Sequence, residues 1–160
     1  EELILCKTVA PGTTSGRIEL FSQDLEDRFG YGLPRYEAVP QDFPLVVISP
    51  SSDKRTNATF GSAEACKGQE KIEINPADAA ARNIPDGATV RVWNNRGETH
   101  LTAVISEAVQ PGVLYTPKGT WLRTSATGQT INALLDAAIR TDIEDGACCN
   151  EVFCEVEVAR

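Results

Sequence analysis

The chain has 160 residues, 41% of them hydrophobic and 24% charged, with a formal net charge of −8. That is enough for one domain whose core needs no disulfides, plus a short appended arm. The acidic balance excludes a general nucleic-acid surface, and no apolar run reaches the roughly 18–20 residues of a membrane span.

Residues 1–16 hold one apolar patch, LILC, and then the turn-rich APGTTSG. RIELF (17–21) alternates and reads as a strand. Residues 22–44 are rich in Gly, Pro and charge and read as an extended arm or irregular connection. An arm is therefore expected over 1–43 and a folded domain over 44–160. LVVIS (45–49) and KIEI (71–74) have the character of buried strands. In NPADAAARN (75–83), Asn75 can cap a helix, Pro76 suits its first position, and Asp78 sits in the first turn, where the dipole favours an anion. Asn83 and Pro85 stop that helix, and Asp86-Gly87 makes a turn. ATVRVWN (88–94) and THLTAVIS (99–106) form a hairpin around NNRGE, with Gly97 expected at positive φ. VQPG (109–112) is a turn, VLYT (113–116) a strand and INALLDAAI (131–139) a short helix. DIEDGACCN (142–150) is loop-like, and EVFCEVEV (151–158) is an alternating closing strand. Six or so short strands, one or two short helices and many Gly/Pro turns predict a small barrel with helical elaboration.

The chemistry is sparse. His100 is the only histidine and falls within a predicted strand, where a solvated or hairpin-edge role outweighs direct chemistry. Hydrolase, phosphate-loop and dinucleotide-fold cues are absent. The five cysteines (Cys6, Cys66, Cys148, Cys149 and Cys154) contain no C-x-x-C pair and fit reduced cytosolic thiols rather than a metal site. No basic-then-apolar leader opens the chain, which supports a cytoplasmic location. There is no Met, so the chain reads as an excised or processed piece of a larger one. Acidic pairs such as Glu26-Asp27 read as solvated faces.

Two polar segments stand out. SPSSDKRTNATFGS (49–62) follows a buried strand with almost no apolar residue, and a second polar stretch runs from Lys118 to Asn132. Each follows the C-terminal end of a strand, where a rigid scaffold commonly carries binding loops. Hydroxyls, carboxamides and free backbone N–H groups suit a phosphorylated, heterocycle-bearing ligand. Plain surface loops are the other reading of the same residues.

INPADAAARNIPDGATVRVWNNRGE (74–98) closely resembles a signature of the C-terminal cofactor domain of molybdopterin oxidoreductases, the dimethyl-sulfoxide-reductase superfamily. The matching residues are Asn75, Pro76, Asp78, Ala79, Ile84, Asp86, Gly87, Val90, Val92, Arg96 and Gly97, with Asn83 where the family usually has Gly. SGRIELFS (15–22), LPRYE (33–37), FPLVVISP (43–50), TNATF (56–60), VQPGVLYTPKGTW (109–121) and INALL (131–135) follow in the family's order. Lys118 stands at a usual His and Leu135 at a usual Thr.

The resemblance, covering about residues 15–158, implies a mainly β fold: a six-stranded double-psi β-barrel with short helices and an extended N-terminal arm. It implies a domain that holds a molybdopterin guanine dinucleotide, on molybdenum or tungsten, inside a larger oxidoreductase of anaerobic-dehydrogenase type. The metal ligand would lie in upstream catalytic domains of the same polypeptide, so this piece would be a monomer without activity of its own. Full-length enzymes of this kind can also be periplasmic. Carried over by position, Ser49, Ser51, Arg55, Asn57 and Thr59 would touch the dinucleotide, Lys118 would approach its phosphates or pterin, and Asn132 would bond a pterin or guanine edge. Helix capping is the alternative role for Asn132. Asp78 reads as a helix partner rather than a ligand contact. Two other functions compete: a barrel-fold protein-interaction module whose polar loops line no common groove, and a self-cleaving pyruvoyl decarboxylase using Gly61-Ser62.

Overall fold

The computed structural model describes residues 2–36, 40–53, 56–59, 62, 64, 67–136, 138 and 152–160. These form two compact units, one within residues 2–36 and the other within residues 40–136 and 152–160.

The first unit departs from the expected extended arm. It contains a helix, α1 (Gln23–Phe29). Ser22 caps it by accepting from the Leu25 N–H, Asp24 and Glu26 occupy the first turn, and Gly30 ends it at φ 79. The chain then doubles back: Ser22 N–H donates to the Gly32 carbonyl at 2.9 Å, and Gly32 N–H donates to Glu26 Oε2 at 2.7 Å. RIELF is not a strand, and Ile18 and Leu20 are exposed. Its alternation has no neighbouring strand to pair with, and a lone strand leaves its backbone groups unpaired.

The second unit is a closed barrel of six strands: β1 (Leu45–Ile48), β2 (Lys71–Ile74), β3 (Thr89–Trp93), β4 (Glu98–Ile105), β5 (Val113–Tyr115) and β6 (Val152–Val158). The order around it is β1-β5-β2-β4-β3-β6. β1 pairs parallel with β5, and β2 pairs parallel with β4; β5–β2, β4–β3, β3–β6 and β6–β1 are antiparallel. The predicted strands in this unit are all present, and the closed, mainly β architecture is the one the resemblance implies. Alternation decides the faces. Val90, Val92, Ile72, Ile74, Leu114 and Val156 are 0–1% exposed and fill the interior. Each such aliphatic side chain contributes roughly 1.5–3 kcal/mol by leaving water. Arg91 lies on the outer face, where hydrogen bonds to Glu157 and Glu98 raise its pKa. His100, paired with Arg91 across the ladder, is half-buried on the same strand pair. Cys154 points inward, and burial pushes its thiol up to about 12.

Helix α2 (Pro76–Ala81) begins as the sequence predicts, with Asn75 Oδ1 accepting from the Ala77 N–H. Asn75 also donates to the Val109 carbonyl at 2.8 Å. Asp78 Oδ2 accepts from the Gly112 N–H at 2.7 Å, and its Oδ1 lies 3.8 Å from Arg82, which in turn bonds Glu155 at 2.6 Å. The capping residues therefore clasp α2 to the turn before β5. Asn83 sits at φ 54, so the replacement of the family's glycine by asparagine keeps a residue that tolerates the left-handed region.

Gly97 corrects the expectation of positive φ: it is not among the positive-φ residues. Its role is close approach. A Cβ built there would lie 2.7 Å from the Ala133 carbonyl oxygen. The hairpin turn is instead organised by Asn94, whose Oδ1 accepts from the Arg96 and Gly97 N–H groups. Its amide donates to the Leu134 and Phe153 carbonyls. Residues 131–134 form a 3-10 turn rather than an α-helix, anchored by the fully buried Leu134.

Candidate functional site

Both polar segments leave the barrel on adjacent, parallel strands. β1 and β5 pair through Ile48 and Tyr115, so the chains that follow them start side by side. Three bonds continue that pairing beyond the sheet. Thr116 N–H donates to the Ile48 carbonyl at 3.1 Å, and Lys118 N–H to the Pro50 carbonyl at 3.0 Å. Trp121 Nε1 donates to the Ala58 carbonyl at 2.7 Å. From the other side, Glu70, just before β2, accepts the Ala126 N–H at 3.1 Å. The segments are thus tied to one another and to the barrel rim.

Between them lies a groove of about 300 Å³. Asn57 of the first segment and Lys118, Gly119, Gln129, Thr130 and Asn132 of the second line it. Its wall also holds Gln69, Thr116 and Leu101 from the barrel rim. Gly119, at φ 102, bends the chain along the groove in a conformation that favours glycine. A second hollow of about 480 Å³ is lined by Ser51, Ser52, Lys67, Lys71 and Tyr115, among others. Gln69 and Pro117 line both hollows, which makes them neighbouring compartments.

Of the expected site residues, Asn57, Lys118 and Asn132 meet in the first compartment, and Ser51 lies in the second. Ser51 donates to Asn57 Oδ1 at 3.1 Å, which links the two. Asn57 takes φ 51, a conformation that asparagine tolerates better than most residues. Asn132 is exposed at the second position of the 3-10 turn, whose cap position is held by Thr130. It is not a capping residue. Ser49, at the end of β1, buries its hydroxyl with no hydrogen-bond partner. Thr59 is exposed in a turn closed by its N–H on the Thr56 carbonyl, and it is not among the described lining of either compartment. Arg55 lies outside the described residues, as do Gly61, Cys66, Cys148 and Cys149.

The sequence reading missed Gln69, Glu70, Thr116, Gln129, Lys67 and Lys71. Only barrel closure brings KGQEK (67–71) beside Lys118 and Asn132, which are distant in the chain. Among the described residues, no group of three or more His, Cys, Asp or Glu side chains could hold a metal. No helix among them is long and apolar enough to cross a membrane.

Residues 45–153 match the protein-family model described as "Molydopterin dinucleotide binding domain". The chain belongs to this family, the molybdopterin dinucleotide-binding domain of the dimethyl-sulfoxide-reductase superfamily. Among curated proteins, it is 36% identical over 136 residues to "Probable oxidoreductase YoaE" of Bacillus subtilis, covering 80% of this chain and 20% of that protein. It is 34% identical over 126 residues to the "Dimethyl sulfoxide/trimethylamine N-oxide reductase" of Cereibacter sphaeroides, covering 69% of this chain and 15% of that one. Among solved structures, acetylene hydratase from Pelobacter acetylenicus superposes over 96% of this chain and 25% of its own length, with a TM-score of 0.74 at 18% identity. That likeness concerns the fold. The chain spans only 15–20% of the length of these curated relatives. Its function as a cofactor-binding domain for a molybdopterin-type dinucleotide follows from the family.

The donor set fits such a ligand. The compartments offer carboxamides (Asn57, Asn132, Gln129), hydroxyls (Ser51, Thr116) and ammonium groups (Lys118, Lys67, Lys71). These are the groups that bond heterocycle edges, ribose and phosphate. The interaction-module reading required loops lining no common groove, whereas the two segments line one.

Proposed function

We propose that this domain holds the guanine form of the dinucleotide, with molybdenum or tungsten carried on the pterin, within a larger oxidoreductase. One observation carries the reading: the two polar segments, more than 50 residues apart in sequence, converge on one groove lined by Asn57, Lys118 and Asn132. In this reading Asn132 and Asn57 bond the heterocycle edges, and Lys118 faces the diphosphate. Ser49, Ser51, Thr59 and Arg55 contribute to the wall formed by the first segment. The bound cofactor supplies the redox chemistry at its metal; this chain binds, orients and excludes water. Residues 44–160 act as the cofactor cover, with residues 1–43 leading from the catalytic domains of the same polypeptide.

The relatives named as oxidoreductases and reductases support this reading. The test is cofactor content. In the full-length enzyme, Asn132→Ala should lower bound molybdenum or tungsten, measured by metal analysis, at least several-fold. Acid hydrolysis of the wild-type cofactor should release GMP. Full retention of metal in Asn132→Ala and in Lys118→Ala together would refute the site, and release of another nucleotide would refute the guanine assignment.

A further inference from the structure

Trp121 is not among the described lining of either compartment, yet its indole is held in place from several sides. Its carbonyl accepts from the Thr124 N–H at 3.0 Å and the Ser125 N–H at 2.9 Å, and from the Thr124 hydroxyl at 3.1 Å. These bonds seat it at the start of the 3-10 turn Leu122–Thr124. The Arg123 guanidinium lies 4.2 Å from the centre of its ring, a cation–π contact that favours one ring plane. Nε1 donates to the Ala58 carbonyl at 2.7 Å. An indole N–H is a donor and nothing else, so this bond has a single sense.

The acceptor belongs to a tight turn. Thr59 N–H donates to the Thr56 carbonyl at 3.0 Å, and Asn57 within the turn takes φ 51. Asn57 and Ala58 both line the first compartment. Among the described residues, two bonds join this turn to the rest of the barrel unit. Ser51 Oγ donates to Asn57 Oδ1 at 3.1 Å, and Trp121 holds Ala58. The first comes from the same polar segment. The second comes from the other segment and grips the backbone. A turn that is already placed need not be ordered when a ligand arrives, and the entropy it does not lose appears as affinity.

We infer that Trp121 is a positioning residue for ligand binding: by holding the Ala58 carbonyl it keeps Asn57 in the groove with Lys118 and Asn132. The inference rests on the dinucleotide reading of the groove and adds the residue that assembles its first wall. Trp121 touches no ligand itself, so its effect passes through the turn that carries Asn57. Loss of one such N–H···O bond weakens binding roughly three- to tenfold. That loss disappears once the Asn57 side chain is gone, because a residue that acts through another then has nothing to position.

The experiment is a double-mutant cycle on this chain, with GDP as the probe and calorimetric titration as the readout. Trp121→Phe removes the N–H and keeps a ring for Arg123. Asn57→Gly removes the carboxamide and tolerates φ 51. Trp121→Phe should weaken GDP binding about three- to tenfold, Asn57→Gly at least as much, and the double variant no more than Asn57→Gly alone. In an Asn132→Ala background, by contrast, Trp121→Phe should show its full loss. Should Trp121→Phe fail to fold, benzothienylalanine at position 121 keeps the bicyclic ring with sulfur in place of the N–H, and it should give the same pattern. GDP affinity within about twofold of wild type in the variants at position 121, or an undiminished loss in the Asn57→Gly background, overturns the inference. The dinucleotide reading then stands on the weakened binding of Asn132→Ala. If GDP does not bind the wild-type chain, both fall together.

Discussion

Asp78 lies within the signature that marks the family, yet its contacts are all internal. Its carboxylate is 16% exposed, accepts from the Gly112 N–H at 2.7 Å and lies 3.8 Å from the Arg82 guanidinium. Asp78→Ala removes the acceptor and leaves a half-buried backbone N–H without a partner. A hydrogen bond to a charged group is worth about 1.5–3 kcal/mol, and an anion in the first turn adds about 0.3–1 kcal/mol through the helix dipole. The ion pair adds little, because Arg82 keeps its 2.6 Å bond to Glu155. The expected loss is therefore about 2–3 kcal/mol. With a urea slope of roughly 1.5–2.5 kcal/mol/M for a domain of this size, the midpoint should fall by about 1–2 M. Trp93 and Trp121 both lie in the barrel unit, so their fluorescence reports the transition. Asp78→Asn keeps an acceptor without the charge and should lose about half as much. Ligand binding by Asp78→Asn, scored per folded molecule, should match wild type. A loss below about 0.5 kcal/mol for Asp78→Ala would refute the clasp, and a specific loss of ligand binding in Asp78→Asn would refute its purely structural role.

Three further outcomes follow. Gly97→Ala should destabilise by about 1–3 kcal/mol, because the new methyl meets the Ala133 carbonyl at 2.7 Å; a thermal melt measures this, and an unchanged melt would show that the 3-10 turn gives way freely. Asn83→Ala should cost about 1–2 kcal/mol because alanine is poor at φ 54, whereas Asn83→Gly should be close to neutral; paired urea melts separate the two. Cys154, buried with its pKa raised to about 12 from 9.0, should resist alkylation at pH 8 while exposed Cys6 reacts, as peptide mass spectrometry would show. The folded thiol holds its proton more tightly than the unfolded one. Its contribution to stability is therefore complete below pH 9 and declines as the pH rises toward 12, and Cys154→Ala should remove that part of the alkaline slope.

The barrel was legible because its strands are short, β-branched and bounded by turns. In ATVRVWN the alternate residues Val90 and Val92 are fully buried, as alternation demands. The same pattern misled in RIELF, since alternation reports a two-faced segment and says nothing about whether a partner strand exists. Helix α1 carried readable signals in Ser22, Asp24, Glu26 and Gly30, but surrounding glycines and prolines obscured a seven-residue element. Gly97 illustrates a different limit. A glycine in a hairpin turn can serve backbone sign or close approach, and only the position of Ala133 distinguishes them. The groove was half legible. Asn57, Lys118 and Asn132 stand out as polar residues after strands, whereas Gln69 owes its burial to strands that close around it from elsewhere in the chain.

The division of labour between signature and site follows from these contacts. Asn75, Asp78 and Asn94 spend their polar groups on backbone partners at Ala77, Val109, Gly112, Leu134 and Phe153. Two of those partners lie on either side of the second polar segment. Gly112 leads into β5 and hence to Lys118, and Leu134 carries the turn that bears Asn132. The most recognisable residues of the chain therefore do not line the groove; they set where its lining residues stand. A change in Asn94 should for this reason disturb Asn132 at a distance. Asn94→Ala frees the Leu134 carbonyl, loosens the 3-10 turn and should weaken ligand binding together with stability, whereas Asn132→Ala should weaken binding alone. Parallel melting and binding curves for the two variants would separate a residue that builds the groove from one that uses it, and an Asn94→Ala protein that is destabilised but binds normally would break the proposed link between hairpin and groove.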